Sequence, residues 1–560
     1  MDNYQIADAF ALLAKIMDIH GENSFKTKTY ANAAFQIEKL PMQLADMDAA
    51  SIAAQKGIGA ATAQKIAELL QTGSLSVLNE YIAKTPAGVI EMLSIKGLGP
   101  KKINTVWKEM GIETIGELEY ACNENRLTLY KGFGEKTQNN VADAIRFYLN
   151  QQGWFLYQQA EEIAQQFLQL LQTQLPTHNT VITGSLRRQM ETVDSIDLLT
   201  TAAASDVIQL LQPLDALILT EELPNGLYYQ ISNGPQLFIH TTTADTWGHT
   251  LFTTTGPDVF CNSIITSHTT TNFATEEALF AAAQQPYVLP AFRDLPLDAV
   301  HASANFISSE LIQPQDIRGI IHSHSVWSDG SNSIREMAEA ARAKGLEYLV
   351  ISDHSKSAGY ANGLNEERIL QQHAEIDLLN KQLAPFKIFK SIECDILNDG
   401  SLDYSDAVLS SFDLVIASVH SNLKMTEEKA MQRLLTAIAH PAVTILGHMT
   451  GRLLLSRAGY PVNYDAIIEA CANHHVCIEL NAHPRRLDID WRWIPAAVNK
   501  GILISINPDA HAVEGFADTR YGVLAAQKGM LRKQQNLSSF SLQAFEDFLQ
   551  QNKAAKALAS

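Results

Sequence analysis

Between residues 318 and 511 seven short apolar runs, rich in Ile and Val, each end in side chains of the kind that bind metals. They are RGIIHSHSVWSDG (318–330), YLVISDHS (348–355), FKIFKSIECD (386–395), DLVIASVHS (413–421), VTILGHMTGR (443–452), VCIELNAH (476–483) and ILISINPDAH (502–511). Their polar ends follow one another at 27 to 39 residues, with amphipathic helix patterns between, which is the rhythm of βα units. In a parallel barrel the C-terminal ends of the strands meet at one face, and metal and catalytic side chains sit there. His322 and His324 stand two apart on a strand end, so both imidazoles point the same way, and Asp509 and His511 repeat the spacing. One histidine alone is more often a satisfied core or surface residue. Polar groups at seven successive strand ends are poorly explained by chance.

The rest of the chain is organised differently. A length of 560 residues predicts three or four domains at roughly 100–200 residues each. Hydrophobic residues make up 46% and charged residues 18%, which excludes wholesale disorder. No apolar run approaches the ~18 residues of a membrane span, and the N-terminus carries acids inside an amphipathic pattern, unlike a signal or transit peptide. Cys122, Cys261, Cys394, Cys471 and Cys477 form no pair of the CxxC kind, are odd in number and read as reduced thiols, so a cytoplasmic location is expected. The formal charge is −19, unevenly spread. Residues 151–300 hold 3 basic and 15 acidic side chains and no lysine, so this middle segment is ill suited to gripping phosphates. Residues 1–150 are nearly balanced and can carry a local basic patch.

In that first segment one string recurs three times: KGIGAATAQKIAEL (56–69), KGLGPKKINTVWKEM (96–110) and KGFGEKTQNNVADAI (131–145). Glycine pairs Gly57/Gly59, Gly97/Gly99 and Gly132/Gly134 permit a tight turn and close approach of a ligand to the backbone. The helix that follows each turn aims amides at an anion, and a phosphodiester suits it, with Lys101 alongside the second turn. These strings resemble helix-hairpin-helix motifs, which hold the DNA backbone without reading sequence. With FKTKTYANAA (25–34) they are similar to the N-terminal domain (1–90) and fingers (91–150) of family X DNA polymerases. In some members of that family a lysine of the first such helix forms a Schiff base with an abasic sugar. The matching position is Lys65, for which a solvated helix lysine is the plainer reading.

TGSLRRQMETVDSIDLLTT (183–201) resembles the palm signature of the same family. The resemblance implies that Gly184, Ser185 and Arg188 cradle a nucleotide triphosphate and that two aspartates hold Mg2+. Here the pattern fails: the expected pair falls on Ser195 and Asp197, with an acid displaced to Asp194. Alternation puts residues 194 and 197 on opposite faces of a strand. The third family aspartate aligns with Phe238, and no acid occurs between Glu222 and Asp245. We therefore expect a degenerate nucleotidyltransferase-like palm (151–242) and thumb (243–300) without polymerase chemistry, two of the three carboxylates for Mg2+ being absent. A Pro-containing linker (301–316) leads to the barrel domain (317–560).

That C-terminal segment resembles the polymerase-and-histidinol-phosphatase (PHP) domain, so the whole chain reads as multidomain α+β and α/β. It has a helical helix-hairpin-helix region, a palm and thumb, and a PHP-type seven-stranded (β/α) barrel. The resemblance implies three Mn2+ or Zn2+ ions with His322, His324, Asp329, His354, Glu393, His420, His448, Asp509 and His511 as ligands. His483 is left out of the set. Arg452, Arg457 and Arg486 lie just past strand ends, where they can clamp a phosphate as well as serve as structural arginines. The family resemblance implies a 3′→5′ DNA exonuclease, with 3′-phosphatase or abasic-site cleavage as possible further activities, acting on gapped or damaged duplex in base-excision repair; a monomer without membrane contact is expected. The alternatives are an active gap-filling polymerase, a small-molecule phosphoesterase of the histidinol phosphatase kind, or a non-catalytic DNA-binding scaffold.

Overall fold

The computed structural model describes residues 1–560 except 56, 124–125, 152, 233, 266–270, 303–307, 456–457 and 560. The chain forms two compact units, Met1–Gln152 and Gly153–Ser560.

The first unit is helical among its described residues. Its first helix, Asn3–Ile19, begins with a reciprocal capping box between Asp2 and Gln5, and Asn23 caps the second, Ser24–Glu38. Ile6, Phe10, Leu13 and Met17 recur at helical spacing, and all four are fully buried in a cluster that extends to Leu78. A second cluster gathers Val89, Ile103, Leu118, Phe133 and Ile145.

The second unit opens on a five-stranded sheet. Its strands are β1 (Thr180–Thr183), β2 (Ser195–Thr200), β3 (Leu217–Leu223), β4 (Gly226–Ile231) and β5 (Gln236–Thr241), in the order β1-β2-β5-β4-β3. Only β2 and β5 run parallel. Helices Trp247–Thr255, Asp258–Ile264 and Glu276–Ala282 follow. Phe252, Phe260 and Phe280 pack there around the buried Arg293, whose guanidinium meets Glu276 at 2.7 Å.

All seven apolar runs form strands: β6 (Gly319–Ile320), β7 (Tyr348–Ile351), β8 (Lys387–Asp395), β9 (Leu414–Ser418), β10 (Ile445–Leu446), β11 (Cys477–Asn481) and β12 (Ile504–Asn507). They are parallel and adjacent in chain order. The barrel is nearly closed: the amide of His324 donates to the carbonyl of Ala510 at 2.8 Å, joining the segments after β6 and β12. At the opposite end the C-terminal helix, Leu542–Ala559, seats Phe545 on Tyr348 with ring centroids 4.6 Å apart. Gly319 is required there, since a Cβ would lie 2.1 Å from the Tyr348 ring.

Sheet and barrel meet along a polar seam. Arg520 grips Glu161 with two bonds of 2.6 Å, and the buried Lys528 ammonium reaches Asp294 at 2.7 Å and the Arg188 carbonyl at 2.8 Å. Burial pushes Lys528 down to about 8, partly offset by Asp294. The supposed linker is not loose throughout, since Leu311 and Ile312 are buried and the Ile312 amide bonds the Leu531 carbonyl.

Candidate metal centre

Glu393, near the end of β8, is the hub of the barrel mouth. Its Oε1 lies 2.9 Å from His448 Nε2, 3.0 Å from His420 Nε2 and 3.4 Å from His322 Nε2. Its Oε2 lies 3.0 Å from His354 Nδ1 and 3.7 Å from His324 Nε2. Asp509 adds a second hub, 3.0 Å from His324 and 3.4 Å from His322, and Asp329 lies 3.4 Å from His511 and 3.7 Å from His354. Three groups have donor atoms within 4.8 Å of one another: His324, Asp329, His354 and His511; His322, His324, Glu393 and Asp509; and His354, Glu393 and His420. The nine side chains named from the sequence therefore come together, His448 joining through Glu393. His322 (φ 67°) and Asp509 (φ 53°) both adopt left-handed backbone where the chain leaves its strand. That conformation is uncommon for residues other than glycine and is held here by its surroundings.

The charges are mutually tuned. Burial favours neutral rings, but Glu393 and Asp395 outweigh it at His420, raised to about 10, as do Asp329 and Asp509 at His511, raised to about 9. Burial together with His511 and His354 pushes His324 down to about 3. Burial opposes ionisation of Glu393 and Asp509 as well, yet the surrounding histidines hold both well below the usual carboxylate range.

A second layer orients these groups. Glu479, fully buried on β11, lies 2.6 Å from His322 Nδ1, accepts the His448 amide at 3.1 Å and is bonded by Asn481 and Asn507. Asn481 also donates to Asp509 at 3.0 Å. Asp395 lies 3.2 Å from His420 Nδ1, and Asp353 gathers Ser325, Ser328 and Gln372 beneath the mouth. Such partners fix ring orientation and raise ligand basicity. Glu479 was missed from the sequence; its signal was an acid inside an otherwise apolar buried run.

The arginines divide. Arg486 is close to the centre, its Nε 3.8 Å from Asp509. Arg452 is engaged elsewhere and corrects the phosphate-clamp expectation: it donates to Asp490 at 2.9 Å, Glu191 at 2.6 Å, the Arg486 carbonyl at 2.9 Å and the Leu487 carbonyl. Arg457 lies outside the described residues. His483 is exposed at its loop.

In the sheet unit, Asp197 lies opposite Phe238 on the neighbouring strand, where a third carboxylate was sought. Asp197 is satisfied within the protein, by the Ser195 hydroxyl at 3.0 Å and His240 Nε2 at 3.0 Å. Gly184 (φ 65°) abuts it so closely that a Cβ would sit 2.5 Å from Asp197 Oδ2. Arg188 donates to Asp294, to the Thr255 carbonyl and to Ser185, so the expected triphosphate cradle is occupied by internal bonds.

In the helical unit Gly57, Gly97 and Gly132 take φ of 82°, 86° and 94°, while Gly59 and Gly99 stand as extended N-caps. A Cβ on Gly59, Gly97, Gly99, Gly132 or Gly134 would meet only open space, so a ligand can approach these backbones. Lys101 is exposed, Lys102 folds onto the Gly97 carbonyl at 3.1 Å, and Lys65 sits half-buried 6.0 Å from the Tyr30 ring.

A parallel barrel whose strand ends converge histidines and carboxylates, carried with helix-hairpin-helix turns, defines a PHP-type phosphoesterase domain joined to DNA-binding modules. The family comparison agrees: residues 321–483 match the PHP domain, 1–75 a helix-hairpin-helix domain and 89–146 a SAM-like helix-hairpin-helix tandem. The chain is 33% identical to the DNA polymerase/3'-5' exonuclease PolX of Bacillus subtilis (strain 168), covering 96% of this chain and 98% of that protein, and it belongs to the PolX family. Over 34% of its length it is also 28% identical to the probable phosphatase YcdX of Escherichia coli O81 (strain ED1a), and 27% identical to a probable phosphatase of Thermoanaerobacter sp. (strain X514); it covers 77% of each.

Proposed function

We propose that the barrel mouth hydrolyses DNA phosphodiesters from the 3′ end with divalent cations bound, and that the palm no longer transfers nucleotides. The observation that carries this reading is the set of three overlapping donor groups around Glu393. Their chemistry fits cations: His322 Nε2 and His324 Nδ1 are buried with no hydrogen-bond partner and lie 3.4 Å from Glu393 and 3.9 Å from Asp329. Mixed imidazole and carboxylate donors suit Mn2+ or Zn2+. Such ions would supply Lewis acidity toward a phosphate and make water nucleophilic near neutral pH.

The chain's own residues do the rest. Asp329, Glu393 and Asp509 hold the six histidines in place, Glu479 sets the His322 ring, and Arg486 is placed to meet a phosphate oxygen. Residues 1–90 and 91–150 hold duplex DNA through their glycine turns. Residues 151–242 and 243–300 are a palm and thumb that support the 317–560 barrel. Gapped or damaged DNA in base-excision repair, inside the cytoplasm and as a monomer, is the setting this organisation suits.

The test is a gel assay on a one-nucleotide-gapped duplex with a 5′-labelled primer, in Mn2+, with and without dNTPs. A ladder of shortened products, abolished in His322→Ala/His324→Ala and kept in Asp197→Ala, supports the proposal. Extension by one nucleotide would overturn the silent palm.

A further inference from the structure

The palm retains a task even without chemistry. We propose that it positions the phosphate-facing Arg486 of the barrel through Glu191, by way of Arg452; this rests on the nuclease reading above. Glu191 is buried in the palm at the turn before Thr192, its own carbonyl accepting the Tyr157 amide at 3.0 Å. Its carboxylate binds Arg452 at 2.6 Å and approaches Arg492 at 3.5 Å, both from the barrel.

Arg452 uses four of its five N–H donors on this network: two on the carboxylates of Glu191 and Asp490, and two on the carbonyls of Arg486 and Leu487. The backbone of the 484–487 loop is thus pinned from the palm side. Its other face turns to the metal centre, where Arg486 Nε stands 3.8 Å from Asp509. Thr450, two residues before Arg452, is tied to Asp488 by amide and hydroxyl at 3.0 and 2.9 Å, which closes the loop from below. A guanidinium anchored by two carboxylates keeps its place better than one held by carbonyls alone, because opposite full charges add Coulombic attraction to the hydrogen bonds. Glu191 is therefore a positioning residue, and the chain from Glu191 to Asp509 runs through contacts that link the degenerate palm to the reacting face.

Hydrogen–deuterium exchange of the peptide spanning 484–489 in the metal-free full chain reads the pinning directly. Hydrolysis of the gapped duplex in Mn2+ reads its consequence. Glu191→Ala should speed exchange in that peptide and raise KM for DNA about tenfold, in the range of orienting contacts, with kcat changed less than KM. Glu191→Gln, which keeps the shape but loses the charge, should show a smaller shift of the same sign. Arg486→Ala should reproduce the KM rise and add nothing to Glu191→Ala, since the two act as one unit. Arg520→Ala loosens the same seam at Glu161 and should leave both readouts at wild-type values. Wild-type exchange in Glu191→Ala, or equal effects from Arg520→Ala, would overturn the proposal. Absence of hydrolysis by wild type would sink the nuclease reading instead, and the exchange arm would still decide the pinning.

Discussion

Palm and barrel each carry an acid on a strand, Asp197 near the start of β2 and Glu393 near the end of β8, yet the two acids are in opposite conditions. Glu393 is ringed by nitrogens of five histidines, and buried donors such as His322 Nε2 find no hydrogen-bond partner. Asp197 has one bond to each oxygen, from Ser195 and His240, faces Phe238 across the sheet and is packed against Gly184. A site prepared for ions keeps polar atoms converging on a point without partners, at a cost in stability that only a ligand offsets. In the palm the atoms of Asp197, Ser195 and His240 close on one another instead. The sheet survives because its apolar face, not its carboxylates, holds it together: Ile196, Leu198, Leu237 and Ile239 are fully buried.

The sharpest break between the two regions is expected at Glu393. Glu393→Gln removes the shared carboxylate and should cut hydrolysis by about 10³-fold, since several kcal/mol of charge stabilisation at 1.36 kcal/mol per decade is lost. The labelled-primer assay measures it, and a change within tenfold would mean that Glu393 is not the hub. Glu479→Gln should follow with a 10–100-fold loss of metal affinity, as for other orienting partners. Titration of Mn2+ by calorimetry reads that loss, and unchanged affinity would remove Glu479 from the centre.

Much of the barrel was legible because its information is local. A βα unit writes its strand, its ligand and its helix within some tens of residues, and the i, i+2 spacing of His322/His324 and Asp509/His511 states the side-chain direction outright. Phe238 is matched through the resemblance to the family X palm, whose third aspartate falls there, and it does pair with Asp197. What stayed hidden depends on distance in the chain. Arg452 looks like a phosphate clamp in VTILGHMTGR, and only the fold brings Glu191, 261 residues away, to its guanidinium. Glu479 was passed over for a similar reason: its partner His322 is 157 residues upstream, so nothing in VCIELNAH reveals why an acid belongs in that run. The segment 301–316 read as a linker from its composition, while the burial of Leu311 and Ile312 arises from contact with Leu531 near the C-terminus.

A protonation experiment sharpens the contrast at smaller amplitude. In the metal-free protein His420 and His511 are raised to about 10 and about 9, so both are charged at neutral pH. Ligation requires neutral rings, so loading the site must release protons. Apparent affinity should rise about tenfold per pH unit for each proton released, between about pH 6 and 8. Calorimetry in buffers of differing ionisation enthalpy checks this, and a buffer-independent heat would contradict it. The sign for the metal-free fold is the reverse. Because these pKa values are raised, their contribution is complete below the ordinary histidine value of 6.5 and is lost as pH climbs through about 9 and then about 10. Melting temperature without metal should therefore fall over that window, and a metal-loaded sample should not share the fall.

The smallest effect is expected at Asp197, and its smallness is the point. Asp197→Asn keeps the size of the side chain but weakens the bonds to Ser195 and His240. Loss of one such bond costs about 1 kcal/mol, so a drop of a few degrees in melting temperature is expected, with hydrolysis of the gapped duplex unchanged within about twofold. A carboxylate that serves only its own fold can be replaced at that cost, whereas one that waits for a cation cannot. If Asp197→Asn instead lowered hydrolysis as steeply as Glu393→Gln, the palm would be coupled to the reacting centre by more than the Glu191–Arg452 contact. If it abolished nucleotide incorporation present in wild type, the pairing with Phe238 would not have silenced the palm, and the contrast between the two regions would have to be redrawn.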